Sequence, residues 1–369
     1  MDEAQGGGDQ HAPPKLDRRR RQLRNFRFLL ILPFVATATL VAPLAYLTTG
    51  SEVEVILKVS QMSFKVGQVS TGGTFNPVKT RSLSLLNFQT LDLCSGLLEM
   101  ARAGEPTAGA ANDWRQLATG ARALLMAQGE FASVTFDDIT LDPLNVKPGA
   151  VLTLAVLDHQ PNILKLRVDG AEVTGRFAAG KTLRLSCSNC AVSDSPGRDD
   201  INSKLLRFRS EREHVVAFSG RKEGTTMALE LPPGTKLVEQ DIGVAGGLDF
   251  TRMEGRRRKS TITGEGGMIT FEELDKEVKV KAGDFVILDD LKNFFIETLH
   301  IADGITVILH GHVGRLATGR TKFVKDRLPS LLEWLYARKT WALHLNAVVL
   351  IGTTALAILQ RLRIVREEK

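Results

Sequence analysis

Residues 52–59 read EVEVILKV, and the alternation in that run decides the fold class. Val53, Val55, Leu57 and Val59 fall on one side of an extended chain, with Glu52, Glu54 and Lys58 on the other. Successive side chains of a strand point to opposite faces, so this pattern predicts a half-buried strand. Further strands are predicted at Val134–Leu141, Val151–Leu157, Ile163–Val168, Thr182–Cys187 and His214–Phe218. Met227–Leu231, Glu277–Lys281, Phe285–Leu288 and Ile305–Val313 continue the series. Short strands divided by Gly, Asp and Pro turns predict a mainly β, antiparallel sandwich or stacked-sheet domain over residues 51–320. A polar break at 194–204 could divide it into two lobes.

Helical patterns are scarce, which disfavours a parallel sheet with crossover helices. Ala110–Gln128 spaces Trp114, Leu117, Ala121, Leu124 and Leu125 as one amphipathic helix would. Asp326–Lys339, with Pro329 in its first turn, predicts a juxtamembrane helix over 326–340. The segments 52–67 and 303–319 resemble each other loosely, as any two alternating strands do, and no repeat of fixed period is visible.

Outward from the β region the composition changes. Leu29–Leu47 reads LLILPFVATATLVAPLAYL, within a charge-free run that extends to Gly50. About 20 residues of helix cross a bilayer core of about 30 Å, so residues 26–48 are expected to form a transmembrane helix. Pro33 and Pro43 are better tolerated there than in a soluble helix. Arg18, Arg19, Arg20, Arg21, Arg24 and Arg27 precede it, and Glu52 and Glu54 follow. The excess of bases on one flank puts the N-terminus in the cytoplasm. A cleaved signal peptide, cut near Ala42 or Ala45, would need a basic leader of nearly 30 residues, so an anchor is the better reading.

Residues 341–360, WALHLNAVVLIGTTALAILQ, form a second charge-free run and a second expected transmembrane helix. Trp334, Tyr336 and Trp341 lie at or before its start, where amphipathic rings suit the headgroup layer. Arg361 and Arg363 follow it directly, in a short basic tail over 361–369. Two crossings return the C-terminus to the cytoplasm and leave the β domain periplasmic, in a bacterial inner membrane. His344 and Asn346 fall in the first turns of this run, near the interface. Residues 1–25 are a basic cytoplasmic tail, and its first 14 residues have the Gly-, Pro- and polar-rich composition of disordered chain.

The net charge of +6 belongs to these flanks. Residues 1–28 carry seven Lys/Arg against four Asp/Glu, and 360–369 carry four against two. The remaining residues hold 37 positive against 36 negative, too even a balance for a phosphate-binding surface. Nucleic acid is therefore not an expected partner.

Few residues suggest chemistry. Cys187 and Cys190 could form a small local disulfide if the domain faces an oxidising compartment, or remain free thiols. A redox CxxC usually opens a helix, whereas this CSNC follows a strand-like TLRLS. Cys94, in LDLCSGLL, fits a buried apolar position. His310 and His312 share a strand face and are the best metal candidates, but two ligands hold a metal poorly. No metal or cofactor is therefore expected. Arg256, Arg257, Arg258 and Lys259 form a basic run that could contact an anionic surface. The TGEGG at 263–267 lacks the Lys-Ser/Thr of a phosphate loop, and no serine sits in a GxSxG elbow. The expected role is a two-pass, non-enzymatic scaffold that meets the bilayer, protein partners or further copies of itself. A channel or transport subunit is the alternative, and a tethered enzyme comes third.

Overall fold

Ser51–Val59 is a strand whose Val53, Val55, Leu57 and Val59 side chains are fully buried. The computed structural model describes residues 47–337 except 70–73, 94–95, 102–113, 121–123, 130, 143, 158, 194–199, 202–203, 212, 223, 239–240 and 321–322, together with 346–347 and 350–354. Two compact units divide the chain: residues 50–328, and residues 1–49 with 329–369.

Within the larger unit the first strand continues as Gln61–Val69, but its buried positions move from odd to even numbers, at Met62, Phe64 and Val66. Ser60 absorbs the shift. Its N–H donates to Thr261 O at 2.8 Å, its carbonyl accepts from Val156 N–H at 2.9 Å, and Thr261 Oγ1 donates to Gln61 O at 2.5 Å. A kink whose backbone groups are all paired avoids the cost of burying bare polar atoms. Before the kink the strand pairs with Ile262–Phe271 and Ile305–Arg320. Beyond it the partners are Val151–Leu157 and Ile242–Asp249. Ile242–Asp249 pairs in turn with Phe285–Ile301, and that strand pairs with Ile305–Arg320. The ladders thus return to their start, with the kinked strand in both the first and last steps.

A second circuit uses the same device. Val78–Leu86 and Phe88–Asp92 are separated by Asn87, which takes a left-handed conformation at φ 57°. Val78–Leu86 pairs with Ser133–Leu141, Phe88–Asp92 pairs with His214–Gly220, and Val173–Ala179 joins those two partners. Phe88, Phe136 and Phe177 are fully buried there, and the Phe136 and Phe177 ring centres lie 4.7 Å apart. Gly175 belongs to this packing, because a Cβ there would run into the Phe218 ring. Circuits leave few open sheet edges. Among the described residues, Lys276–Val280 and Trp114–Gly120 each pair on one side only.

The described chain is mainly β and antiparallel, as its alternation predicts. Two helical expectations change. Trp114–Gly120 and Leu124–Ala127 are strands, paired with Gly96–Ala101 and Phe88–Asp92, where a helix over 110–128 was expected. A short apolar pattern interrupted by Gly120 fits either period, and open neighbouring edges settle it as strand. The helix expected from Asp326 instead begins at Leu331, because Phe323–Asp326 extends the sheet beside Ala317–Arg320.

In the smaller unit residues 47–49 meet residues 329–331. Thr48 and Ser330 form an antiparallel bridge. Thr49 N–H donates to Pro329 O at 3.3 Å, and Leu331 N–H donates to Leu47 O at 2.6 Å. Ser330 then caps the helix Leu331–Ala337: Glu333 N–H donates to Ser330 Oγ at 3.2 Å, and Ser330 N–H to Glu333 Oε2 at 3.1 Å. That reciprocal pair is a capping box, and it explains why the helix starts where it does. No helix among the described residues is long and apolar enough to cross a membrane, and residues 26–46 and most of 341–360 lie outside them.

Leu57 has no exposed surface and lies in both ladders of the first strand. Leu57→Ala should destabilise the domain by about 2–5 kcal/mol, read from the midpoint of denaturant unfolding. An unchanged midpoint would contradict this placement.

Candidate functional site

The regular pairing of Phe285–Ile301 with Ile305–Arg320 is interrupted between Lys292 and Phe295, and again between Ile296 and Thr298. Two glycines opposite make room for the irregular strand. Gly311 sits at φ 142°, and a Cβ on it would lie 2.7 Å from Phe294 Cα. A Cβ on Gly314 would lie 2.7 Å from the Asp290 Cβ. Asp290 and Asn293 take left-handed conformations at φ 60° and 47°, which short Asx side chains tolerate best. Bulges of this kind bend a strand and re-aim its side chains.

His310 and His312 flank Gly311 and point to the outer face, as residues two apart on a strand must. The register sets Glu52 opposite His312 and Glu54 opposite His310. His312 Nδ1 lies 3.6 Å from Glu52 Oε1, a salt bridge when the ring is protonated. On the other side Lys292 faces His312, and the Phe295 ring stacks on His310 with centres 6.2 Å apart. Thr270 extends the row beyond Glu54, and Glu277 beyond Thr270. These side chains are exposed or half-buried. The face offers imidazoles and carboxylates to a polar partner. Among the described residues no three His, Cys, Asp or Glu are grouped to hold a metal ion. Sequence reading missed Glu52 and Glu54 as neighbours of the histidines. Their signal was the register between two strands about 250 residues apart, which no local window contains.

The basic run lies about 20 Å along the sheet from the acidic end of that face, since Ile262–Phe271 bulges at its glycines and spans only the six steps from Val59 to Val53 at roughly 3.3 Å each. Thr251–Glu254 and Arg257–Ser260 form a separate two-stranded hairpin. Gly255, at φ 60°, occupies the first central position of its two-residue turn, where hairpins favour glycine. One face carries Arg252, Glu254, Arg257 and Lys259; the other carries Met253 and Arg258. Glu254 lies 2.7 Å from Arg252 and 3.2 Å from Lys259. The hydrogen bond from Lys259, and then that from Arg252, hold its carboxyl below the usual carboxylate range. Arg258 reaches Asp249 at 3.0 Å. Arg256 and Arg257 are exposed and make no ion pair among the described residues, and Met253 is 67% exposed.

Cys187 and Cys190 are joined as a disulfide and are fully buried. Cys187 is the last residue but one of Thr182–Ser188, paired with Ser133–Leu141, whereas Cys190 begins a strand paired with Leu124–Ala127. The bond therefore staples the turn at Ser188-Asn189, where the chain passes from one ladder to the other. Trp334 and Tyr336 sit in the helix Leu331–Ala337, with Tyr336 exposed. Arg18, Arg19, Arg20, Arg21, Arg24, Arg27, Cys94, Trp341, His344, Arg361 and Arg363 lie outside the described residues.

No family model matches the chain, and neither does any curated protein or solved structure. The candidate surfaces are therefore read from their own chemistry.

The Glu254 pairing gives a pH expectation with a definite sign. Its carboxyl is held below the usual range, so its contribution is present above the unfolded value and is lost as pH falls through the folded one. Glu254→Gln should raise amide exchange across residues 251–260 at neutral pH. The parent should approach the variant as the medium is acidified. A difference that stays constant with pH would contradict the pairing.

Proposed function

We propose that the chain is a two-pass membrane-anchored scaffold whose β-rich domain meets its partners outside the cytoplasm, without chemistry of its own. The observation that carries the reading is the joining of Leu47–Thr49 to Pro329–Leu331, at the end of the first long apolar run and one short helix ahead of the second. Two membrane helices leaving from one hydrogen-bonded point form a hairpin in the bilayer. The apolar runs that end before Leu47 and begin at residue 341 are those helices, with the N-terminal arginines on the cytoplasmic side, and the first is shorter than the expected 26–48 because Thr48 is taken up in the bridge.

Two further features support it. In the short described stretch of the second run, Leu350 and Ile351 are each 68% exposed, while Thr353 and Thr354 turn their hydroxyls back to Leu350 O. Apolar side chains outward and hydroxyls satisfied within the helix suit a lipid surface. The buried Cys187–Cys190 disulfide suits an oxidising compartment such as the periplasm. The scaffold role rests on the character of the exposed groups: a flat histidine–carboxylate face and a projecting basic hairpin are contact surfaces.

The orientation is testable with single cysteines at Gln5 and Arg256, introduced in a Cys94→Ser background. An impermeant maleimide applied to intact spheroplasts should label position 256, and position 5 only after permeabilisation. Equal labelling of both from outside would overturn the topology. A second variant pair, Thr48→Cys with Ser330→Cys, should oxidise spontaneously across the bridge in the exported protein. Free thiols at both positions would remove the joined ends on which the hairpin depends.

A further inference from the structure

The larger unit carries opposite charge at the two ends of one strand, Ile262–Phe271. Just before Ile262 stands the basic hairpin, where Arg252, Arg256, Arg257, Arg258 and Lys259 outnumber Glu254. Just after Phe271 comes the turn into Lys276–Val280, where Glu272, Glu273, Asp275 and Glu277 outnumber Lys276. Glu52 and Glu54 adjoin that turn: Glu272 N–H donates to Glu52 O at 3.3 Å, and Thr270 links Glu54 to Glu277 across the sheet. About 20 Å of strand keeps the two ends of one copy from neutralising each other, since the screening length is near 8 Å in physiological salt.

Both ends also present open backbone. Lys276–Val280 pairs only with Ile262–Phe271 among the described residues, and Arg257–Ser260 only with Thr251–Glu254. The hairpin Thr251–Ser260 carries five bases against one acid and the turn 272–277 four acids against one base, a self-complementary set within one chain.

We propose that a second copy of this chain is the occupant of the basic hairpin Thr251–Ser260, engaging it through the acidic turn 272–277. The contact is head-to-tail: each copy uses one end to receive and the other to give. Such heterologous contacts build rings when the rotation closes and linear arrays when it does not. Anchoring in one bilayer confines the copies to a plane and raises their effective concentration. Exposed Met253 beside Arg258 supplies an apolar contact at the hairpin. The inference rests on the scaffold reading and names that scaffold's partner as the chain itself.

The test uses the full chain in mild detergent, mixing one preparation carrying Arg256→Cys with another carrying Asp275→Cys, both in a Cys94→Ser background. A short bismaleimide should join the two species into a dimer, and added salt should suppress the product. Reversing the hairpin (R257E/R258E) or the turn (E272K/E273K) on these cysteine variants should each abolish it. Combining a reversed hairpin on one copy with a reversed turn on the other should restore it, which misfolding of either variant could not do. Absence of the heterodimer at low salt, or a product unaffected by either reversal, overturns the inference. If the heterodimer is absent while a different protein still co-purifies with the domain, the scaffold reading survives and the self-association alone falls. A monomer with no companion overturns both.

Discussion

The structure depends on one ladder, the antiparallel pairing of Ser51–Val59 with Ile305–Val313. It joins residues about 250 positions apart, at a large loss of chain entropy that only extensive burial can offset. Val53, Val55, Leu57 and Val59 on one strand and Ile305, Val307, Leu309 and Val313 on the other are fully buried, which offsets it. Every later step of the first circuit uses one of these two strands or its direct neighbour. The kink at Ser60 passes the chain from this ladder to the next, and the bulges opposite Gly311 fit the longer strand to the shorter.

The same ladder also composes the candidate surface. A shift of one residue in its register would turn Glu52, Glu54, His310 and His312 inward and their apolar neighbours out. The position of four polar groups on the outer face is thus a by-product of burying the other face. The basic hairpin has a different origin. It stands outside the main sheet, held by a glycine turn and by ion pairs around Glu254, so its charges can vary with little effect on the core. Exposed pairs of this kind contribute little to stability, which leaves that segment available for recognition.

Strand content was legible where alternation is uninterrupted, as in Val151–Leu157 and Ile305–Val313. It was hidden where the buried parity changes partway along. Val78–Leu86 buries Val78 and Thr80 and then Leu83 and Leu85, opposite a strand in which Asp138 takes φ 49°. Ile242–Asp249 and Ile262–Phe271 were hidden by their glycines, which carry no hydropathy signal. Gly267 is required there, because a Cβ would lie 2.8 Å from the Leu57 side chain. The segment 110–128 reads as a helix because Trp114, Leu117, Leu124 and Leu125 satisfy a helical spacing; its strands exist because neighbouring edges needed partners. Of the candidate site, the histidine pair and the basic run were visible as local patterns. The carboxylates across from the histidines were not, since only long-range register brings them there.

The most direct measurement is native-state hydrogen exchange on the full chain, resolved to the first and last strands of the larger unit. If their ladder supports the fold, the paired amides of 51–59 and 305–313 exchange together, at the slowest rate in the domain, and Leu57→Ala accelerates both sets equally. Rapid exchange in either strand while the rest stays protected, or acceleration confined to 51–59, would contradict the ladder's place at the centre of the structure.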